Sequence, residues 1–266
     1  TRRMNYVPGL NYKKQEELHA DNKIVKGDVN KGKNIFDKML HPAHQHFETL
    51  VKQYLAKNPR GTLLDYGCGT GSRTLKLLRA EWRLIGIDIS RESIKIAQQN
   101  CKNTHLTAEY IVMDGEHMNF PDNKFDLIVD YGTFPSIDMQ SALPELIRVL
   151  KPTGSIIAIE TLGHNPLFNL KRKLNVWQGR RTPRAAKHIM KMSGWHKIIA
   201  HFRSAKMYYY GLSALIITPL ISLFPTMIQS RLIKLCTAID RQLFKVKAMK
   251  IFAFKTLVQF NNLKNN

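Results

Sequence analysis

The run Leu63-Leu-Asp-Tyr-Gly-Cys-Gly-Thr-Gly71 limits the possible fold more than any other stretch of this chain. An apolar lead runs into three alternating glycines, and an amphipathic segment, Ser72-Arg-Thr-Leu-Lys-Leu-Leu-Arg79, follows at once. That order predicts strand, tight turn and helix, with bare backbone at the carboxyl end of the strand where a ligand can lie against it. A dinucleotide loop is spaced G-x-G-x-x-G, so that a helix amino terminus faces the pyrophosphate. Here the spacing is G-x-G-x-G, with Asp65 two residues ahead of the first glycine. A carboxylate at that point repels a pyrophosphate and suits a ligand with an ammonium or other cationic group. Seventeen residues after Gly71, the run Leu84-Ile-Gly-Ile-Asp-Ile89 places Asp88 at the end of a second strand. An acid there can accept both hydroxyls of a ribose. The two carboxylates together predict a positively charged, phosphate-free nucleoside.

The pattern on either side extends this unit. Residues 1–32 are polar, without apolar periodicity, and read as an arm that orders over ligand. Ile35 to Tyr54 is helical in spacing, broken near His41-Pro42, and Asn58-Pro-Arg-Gly61 is a turn before strand one. Helix 72–80, strand 83–88, helix 91–101, strands 108–112 and 125–131, helix 139–150 and strand 154–160 follow in order. A short helix over Arg184–Met192, strand six over Trp195–Phe202 and a last strand over Ile251–Phe260 complete the pattern. Strands alternating with helices predict an α/β fold: a seven-stranded, mostly parallel sheet covered by helices on both faces. The expected organisation is an arm at 1–32, a core domain at 33–202 plus 251–262, and a helical insertion at 203–250.

At this point a resemblance becomes specific. The glycine run, the strand end Gly86-Ile-Asp88 and Met113-Asp-Gly-Glu116 resemble the first three motifs of the Rossmann-like S-adenosylmethionine (SAM) methyltransferases. Phe120-Pro-Asp-Asn-Lys-Phe-Asp-Leu-Ile128 and Leu146-Ile-Arg-Val-Leu-Lys-Pro-Thr-Gly-Ser155 are similar to runs in the group that includes the ubiquinone/menaquinone-type and other small-molecule methyltransferases. The resemblance covers residues 60 to 162, with all five motifs in order. It implies an enzyme with SAM as cofactor, in which an antiparallel edge hairpin ends the sheet. Gly67, Gly69 and Gly71 would let backbone approach the methionine part, with Cys68 a small residue in a crowded turn and Asp65 near the ammonium group. Asp88 would hold the ribose, Ile89 would lie against the adenine, and Asp114 would take its amino group. Gly115 and Glu116 would add backbone contacts, and Tyr131 and Gly132 would flank the reacting methyl.

Candidates for acid–base work are histidines, the side chains that titrate near neutral pH. His164, in Gly163-His-Asn-Pro166 after strand five, reads either as a base facing the acceptor or as a turn residue capping backbone. His41, His44 and His46 cluster in sequence; His41 and His44 can share a helical face, and one of them can serve as a lid-borne acid or base. Cys68, Cys101 and Cys236 have no metal-ligand spacing, so no metal is expected.

Charge is unevenly spread. The chain carries +21 overall, but residues 161–266 hold 19 Lys/Arg against one acid, Asp240. A surface of one sign attracts an anionic membrane, a nucleic acid or an acidic substrate. Met207 to Ser230 has no charge, yet Gly211, Pro219 and Pro225 argue for a helical hairpin over a membrane span. From Arg231, apolar residues at helical spacing share the segment with Lys234, Arg241, Lys245, Lys247 and Lys250, a pattern that suits either a membrane interface or packing on the sheet.

Strand four ends in Asp130-Tyr-Gly-Thr-Phe-Pro135, which lacks the Pro-Pro run of amino-group methylases of adenine or glutamine, and the basic residues have no interleaved aromatics for base stacking. The expectation is methyl transfer to a small or lipid-like acceptor, in the cytoplasm or peripherally on the inner face of a membrane. An RNA methyltransferase and a non-catalytic SAM-binding subunit are the alternatives.

Overall fold

A computed structural model describes residues 11–25, 38–102, 104–221 and 223–264 of the chain. Its centre is a seven-stranded sheet in the order β3-β2-β1-β4-β5-β7-β6. The strands are β1 (Gly61–Tyr66), β2 (Trp82–Asp88), β3 (Ala108–Val112), β4 (Phe125–Asp130), β5 (Leu150–Thr161), β6 (Phe202–Tyr210) and β7 (Lys255–Leu263). The first five are parallel, and β7 runs antiparallel between β5 and β6. The predicted α/β sheet with its antiparallel edge hairpin is therefore present. Chain order reverses between β1 and β4, and in open sheets of this kind ligands bind at such a crossing, beyond the carboxyl ends of the strands.

Successive strand residues face opposite ways, which explains the near-continuous apolar runs. Leu63, Leu84, Leu127 and Ile157 join one core cluster; their neighbours Leu64, Ile85, Ile128 and Ile156 join the other. Helices α2 (His41–Lys57) and α4 (Arg91–Lys102) close the first face through Phe47, Val51, Ile94 and Ala97. Pro42 stands in the first turn of α2, where its missing N–H costs nothing, so it starts that helix rather than breaking it. Between these two lies α3 (Ser72–Leu75), shorter than the predicted 72–80. Leu75 and Leu77 both enter the core, which continuous α-helix would not allow, and the chain tightens after Leu75.

The second face is closed by α5 (Met139–Val149) and α8 (Met192–Ile199), with α6 (Pro166–Trp177) after the tip of β5 and α7 (Pro183–Lys187) packed on the Phe134–Ser136 turn. Arg148 explains two of the sequence motifs together. Its guanidinium donates to the carbonyls of Phe120 and Met118, to Asp122 and to both oxygens of Glu145, clamping the 118–123 loop against α5.

Four further elements differ from the sequence reading. Residues 195–202, expected as strand six, lie mostly in α8: Trp195, Ile198, Ile199 and Phe202 recur at helical spacing, and that period decides. Strand six is instead β6, whose residues 203–210 the reading assigned to the insertion. The last strand begins at Lys255, because Lys247–Phe252 winds into a 3-10 turn that leaves Ile251 and Phe252 on the surface. The predicted helix at 184–192 shrinks to α7, whose Thr182 cap accepts the Ala185 N–H. Helix α6 has no counterpart in the reading, since it turns Leu170, Leu174 and Trp177 to solvent and buries Phe168 and Arg172.

Residues 211–254, between the two edge strands, carry the predicted helical hairpin: α9 (Ala214–Ile221) and α10 (Thr226–Leu243). The one acid of the C-terminal region, Asp240, is buried in α10. It accepts the backbone N–H groups of Gly211, Leu212 and Ser213, tying α10 to the start of α9. Among the described residues no helix is long and apolar enough to cross a membrane.

Candidate active site

The glycine loop after β1 turns as its composition demands. Gly67, Gly69 and Gly71 all have positive φ, at 69°, 52° and 68°. A Cβ on Gly67 would lie 2.1 Å from Thr133 Oγ1, so only glycine lets the β1 and β4 ends approach this closely. Asp88, at the end of β2, braces the loop: one carboxylate oxygen accepts the Gly69 N–H at 2.8 Å and the other accepts the Ser90 N–H at 2.8 Å.

Beyond these strand ends lies a cavity of about 270 Å3. Gly67, Asp88, Ile89, Asp114, Gly115, Glu116, Tyr131 and Gly132 line it, bringing together eight of the residues singled out in the sequence. Asp65, Cys68, Gly69 and Gly71 do not line it; they form the turn behind its wall. Asp65 is buried, and burial lifts its pKa to about 7, with the Asp88 charge adding to the rise against the Thr74 hydrogen bond and the Arg73 charge. The Cys68 thiol is likewise pushed up by burial and then by Asp65 and Asp88, so it has no thiolate character near neutral pH.

The cavity's remaining wall is α1 (Tyr12–Val25), in the segment read as an arm; its residues 1–10 and 26–32 lie outside the described ones. Tyr12, Lys13, Glu16, His19, Ala20 and Lys23 face inward at helical spacing. The Tyr12 hydroxyl donates to Glu116, and the Lys13 ammonium donates to Asp114 and sits 3.1 Å from Glu116. Burial works to raise the Asp114 pKa, but the bonds from Lys13 and the Glu116 N–H outweigh it and hold the carboxyl below its usual range. Glu16 is buried against the Thr182 hydroxyl, and Asp21 accepts the Ser90 hydroxyl at 2.5 Å. These polar contacts are what sequence reasoning missed. The signal was available as polar residues, not apolar ones, repeating with the period of a helix.

Tyr131, just past β4, is the hinge between two cavities. The Arg73 guanidinium lies 3.8 Å over its ring centroid, the Lys255 ammonium 5.4 Å away, and the His44 ring meets it edge-on at 5.3 Å. The second cavity, about 650 Å3, opens on the other side of Tyr131 between α2, α3 and α10, and His41 and His44 line it. His46 points elsewhere, to the Tyr210 hydroxyl, with its ring 4.4 Å from Tyr208; burial and then Arg241 push its pKa down. His164 lines neither cavity. Its Nε2 accepts the Met192 N–H at 2.9 Å at the start of α8, and burial and then Lys191 push its pKa down.

Beneath the site, Asp130 and Glu160 meet at the ends of β4 and β5. Both are buried; burial and mutual repulsion raise the Asp130 pKa, and burial lifts Glu160 to about 7 against the Lys255 charge. They hold the post-β4 turn through the Thr133 and Phe134 N–H groups.

Comparison with known proteins fits this architecture. Residues 63–154 match the family model described as "Methyltransferase domain". The chain is 35% identical over 126 residues to the demethylmenaquinone methyltransferase of Lactiplantibacillus plantarum, covering 44% of this chain and 52% of that protein. It is 28% identical over 145 residues to the ubiquinone/menaquinone biosynthesis C-methyltransferase UbiE of Cronobacter sakazakii, covering 52% and 57%. It thus spans about half the length of the curated relatives it matches. Among solved structures, it is similar to geranyl diphosphate C-methyltransferase from Streptomyces coelicolor A3(2), with a TM-score of 0.62 at 14% identity over 97% of this chain and 100% of that one. Over residues 63–154 the chain is thus similar to the methyltransferase domain family, and its sheet shares the fold of the solved methyltransferase.

Proposed function

We propose that this chain moves the methyl group of S-adenosylmethionine to a small-molecule acceptor. The observation that carries the reading is the cluster of Asp88, Asp114 and Glu116 around a glycine-built cavity, at the strand ends of a matched methyltransferase domain. The residues suit that ligand. Asp88 retains lone pairs for two ribose hydroxyls, Gly115 presents backbone where a Cβ would strike the Tyr66 ring, and buried Asp65 lies behind the loop that would meet the ammonium end. Bound there, SAM would supply a methyl on a cationic sulfur, already activated for in-line displacement. The chain's own work is alignment and exclusion of water. Tyr131 and Gly132 would flank the methyl, Ile89 would lie against the adenine, and α1 would close the outer wall. His44, edge-on to Tyr131, is better placed than His164 to receive a proton from an acceptor.

Asp88→Ala should weaken SAM binding by roughly 1–3 kcal/mol, the scale of lost hydrogen bonds to a charged group. Calorimetric titration checks this, and an unchanged affinity would remove the ribose assignment. Methyl-labelled SAM incubated with fractionated metabolite, lipid and RNA extracts then reads the acceptor; label in the RNA fraction alone would overturn a small-molecule acceptor.

The insertion supports a finer reading, contact with an anionic membrane. Leu220, Leu223, Phe224, Met227, Leu235 and Ile239 are exposed on α9, α10 and the turn between them, flanked by Arg231, Lys234, Arg241 and Lys245. The chain should sediment with phosphatidylglycerol vesicles and not with phosphatidylcholine vesicles. Leu220→Glu with Leu223→Glu should abolish that; retained sedimentation would argue against the surface.

A further inference from the structure

The second cavity has an electrostatic character opposite to the first. Lys38, Arg73 and Lys234 line it together with His41 and His44, and no carboxylate is among its described lining residues. Arg73 is partly engaged, by Glu48 at 3.4 Å and by the face of Tyr131, while Lys38 and Lys234 have no carboxylate in ion-pair reach among the described residues. The lining is built by two long helices. Thr226, Gln229, Ser230, Ile233 and Lys234 occupy one face of α10 from its first turn onward, opposite His41 and His44 at the start of α2. Neither helix has a side-chain cap or an acid in its first turn, so both positive dipole ends add to the field of the cations. The remaining wall, Pro42, Ile233 and the Tyr131 ring, is apolar.

We propose that this cavity binds the acceptor through a phosphate or diphosphate ester. The inference rests on the donor assignment above, because Tyr131 is the wall both cavities share and an acceptor held there abuts the donor's reactive end. Three full cations and two histidines exceed what a single carboxylate would need, whereas a phosphate presents several oxygens and up to two charges to them. The Thr226 hydroxyl lies on the same face to add a hydrogen bond, while the Gln229 amide and the Ser230 hydroxyl already donate to the Phe224 and Met227 carbonyls at 2.8 and 2.7 Å. The apolar wall leaves room for the carbon skeleton that carries the ester.

The test titrates inorganic pyrophosphate into the full chain by calorimetry at fixed ionic strength, with SAM titrated in parallel. Wild type should bind saturably, and Lys38→Ala with Lys234→Ala should weaken binding by about tenfold or more, the scale of lost charge-assisted hydrogen bonds. Lys52→Ala with Lys57→Ala removes the same charge from exposed positions of α2 outside the cavity and should change the affinity by less than about twofold, as expected of screened surface charge. Equal losses in the two variants, or no saturable binding, would overturn the proposal. Hexyl phosphate and the soluble lipid dihexanoyl phosphatidic acid then serve as competitors. Displacement by hexyl phosphate alone supports a free metabolite, displacement by both extends the site to lipid headgroups, and displacement by neither overturns it. Failure of SAM to bind while pyrophosphate binds would strike the donor assignment and not the anion site.

Discussion

The two cavities on either side of Tyr131 are built from opposite materials. The first is made of strand ends, a glycine loop and a majority of carboxylates, closed by α1 with Lys13 and Lys23, all within one continuous half of the sequence. The second is made of helix termini and cations drawn from residues far apart in the chain, Lys38 to Lys234. The contrast assigns ligands by sign. Under the proposals above, a cationic donor would be drawn to the acidic side and an anionic acceptor to the basic side, and their reactive ends would meet at one tyrosine.

The sharpest way to break the acidic side is at its turn. Gly67→Ala forces a side chain into a left-handed backbone and against Thr133, and should destabilise the fold by about 2–3 kcal/mol while abolishing saturable SAM binding. Thermal unfolding and calorimetry read the two effects; wild-type values for both would mean the loop tolerates what its geometry forbids.

The next effect tests whether the acidic side is strained by its own charge. Asp65 titrates near pH 7 in the folded chain and near its ordinary value when unfolded. An acid whose folded pKa is raised holds its proton more tightly in the folded state, so its stabilisation is complete below about pH 4 and is lost as pH rises through 7. Asp65→Asn keeps the neutral form at all pH, and should flatten the fall in stability between pH 5 and 8 by roughly 2–4 kcal/mol. Denaturant titrations of the chain without cofactor across that range decide it, and parallel wild-type and variant curves would refute the assignment. Glu160, also near 7, should leave a residual slope in the variant.

The smallest effect concerns the wall that α1 supplies. Lys13→Ala removes a partly exposed ion pair to Asp114 and Glu116, and should cost about 1 kcal/mol or less. Amide hydrogen exchange should nonetheless rise across Tyr12–Val25 and stay unchanged in β1. Unchanged exchange in α1 would show that Glu16 and Asp21 hold the helix without Lys13.

How much of this was readable from the sequence follows the same division. The glycine loop, Asp88 and the parallel strands were legible because each rests on local rules: glycine where φ is positive, period two where both faces are buried. Strand six was misplaced where Trp195, Ile198, Ile199 and Phe202 carried a helical period inside a run that looked apolar enough for a strand. Helices α1 and α6 escaped for another reason. Their buried residues are Glu16 in one and Phe168 and Arg172 in the other, so the apolar pattern that announces most helices is absent or faces water. The second cavity could not be read at all, since Lys38, Arg73 and Lys234 become neighbours only through the crossing of α2, α3 and α10.

Asp240 carries a consequence beyond its bonds. With the sole acid of residues 161–266 buried against three backbone N–H groups, the exterior of this region has no carboxylate left to neutralise its lysines and arginines. Lysine and arginine side chains keep their protons as the pH falls. Acidity therefore cannot reverse the sign of this face. Lowering the pH can only add histidine charge to it, whereas ionic strength screens every one of these charges, which makes salt concentration the stronger dial on anything the region holds.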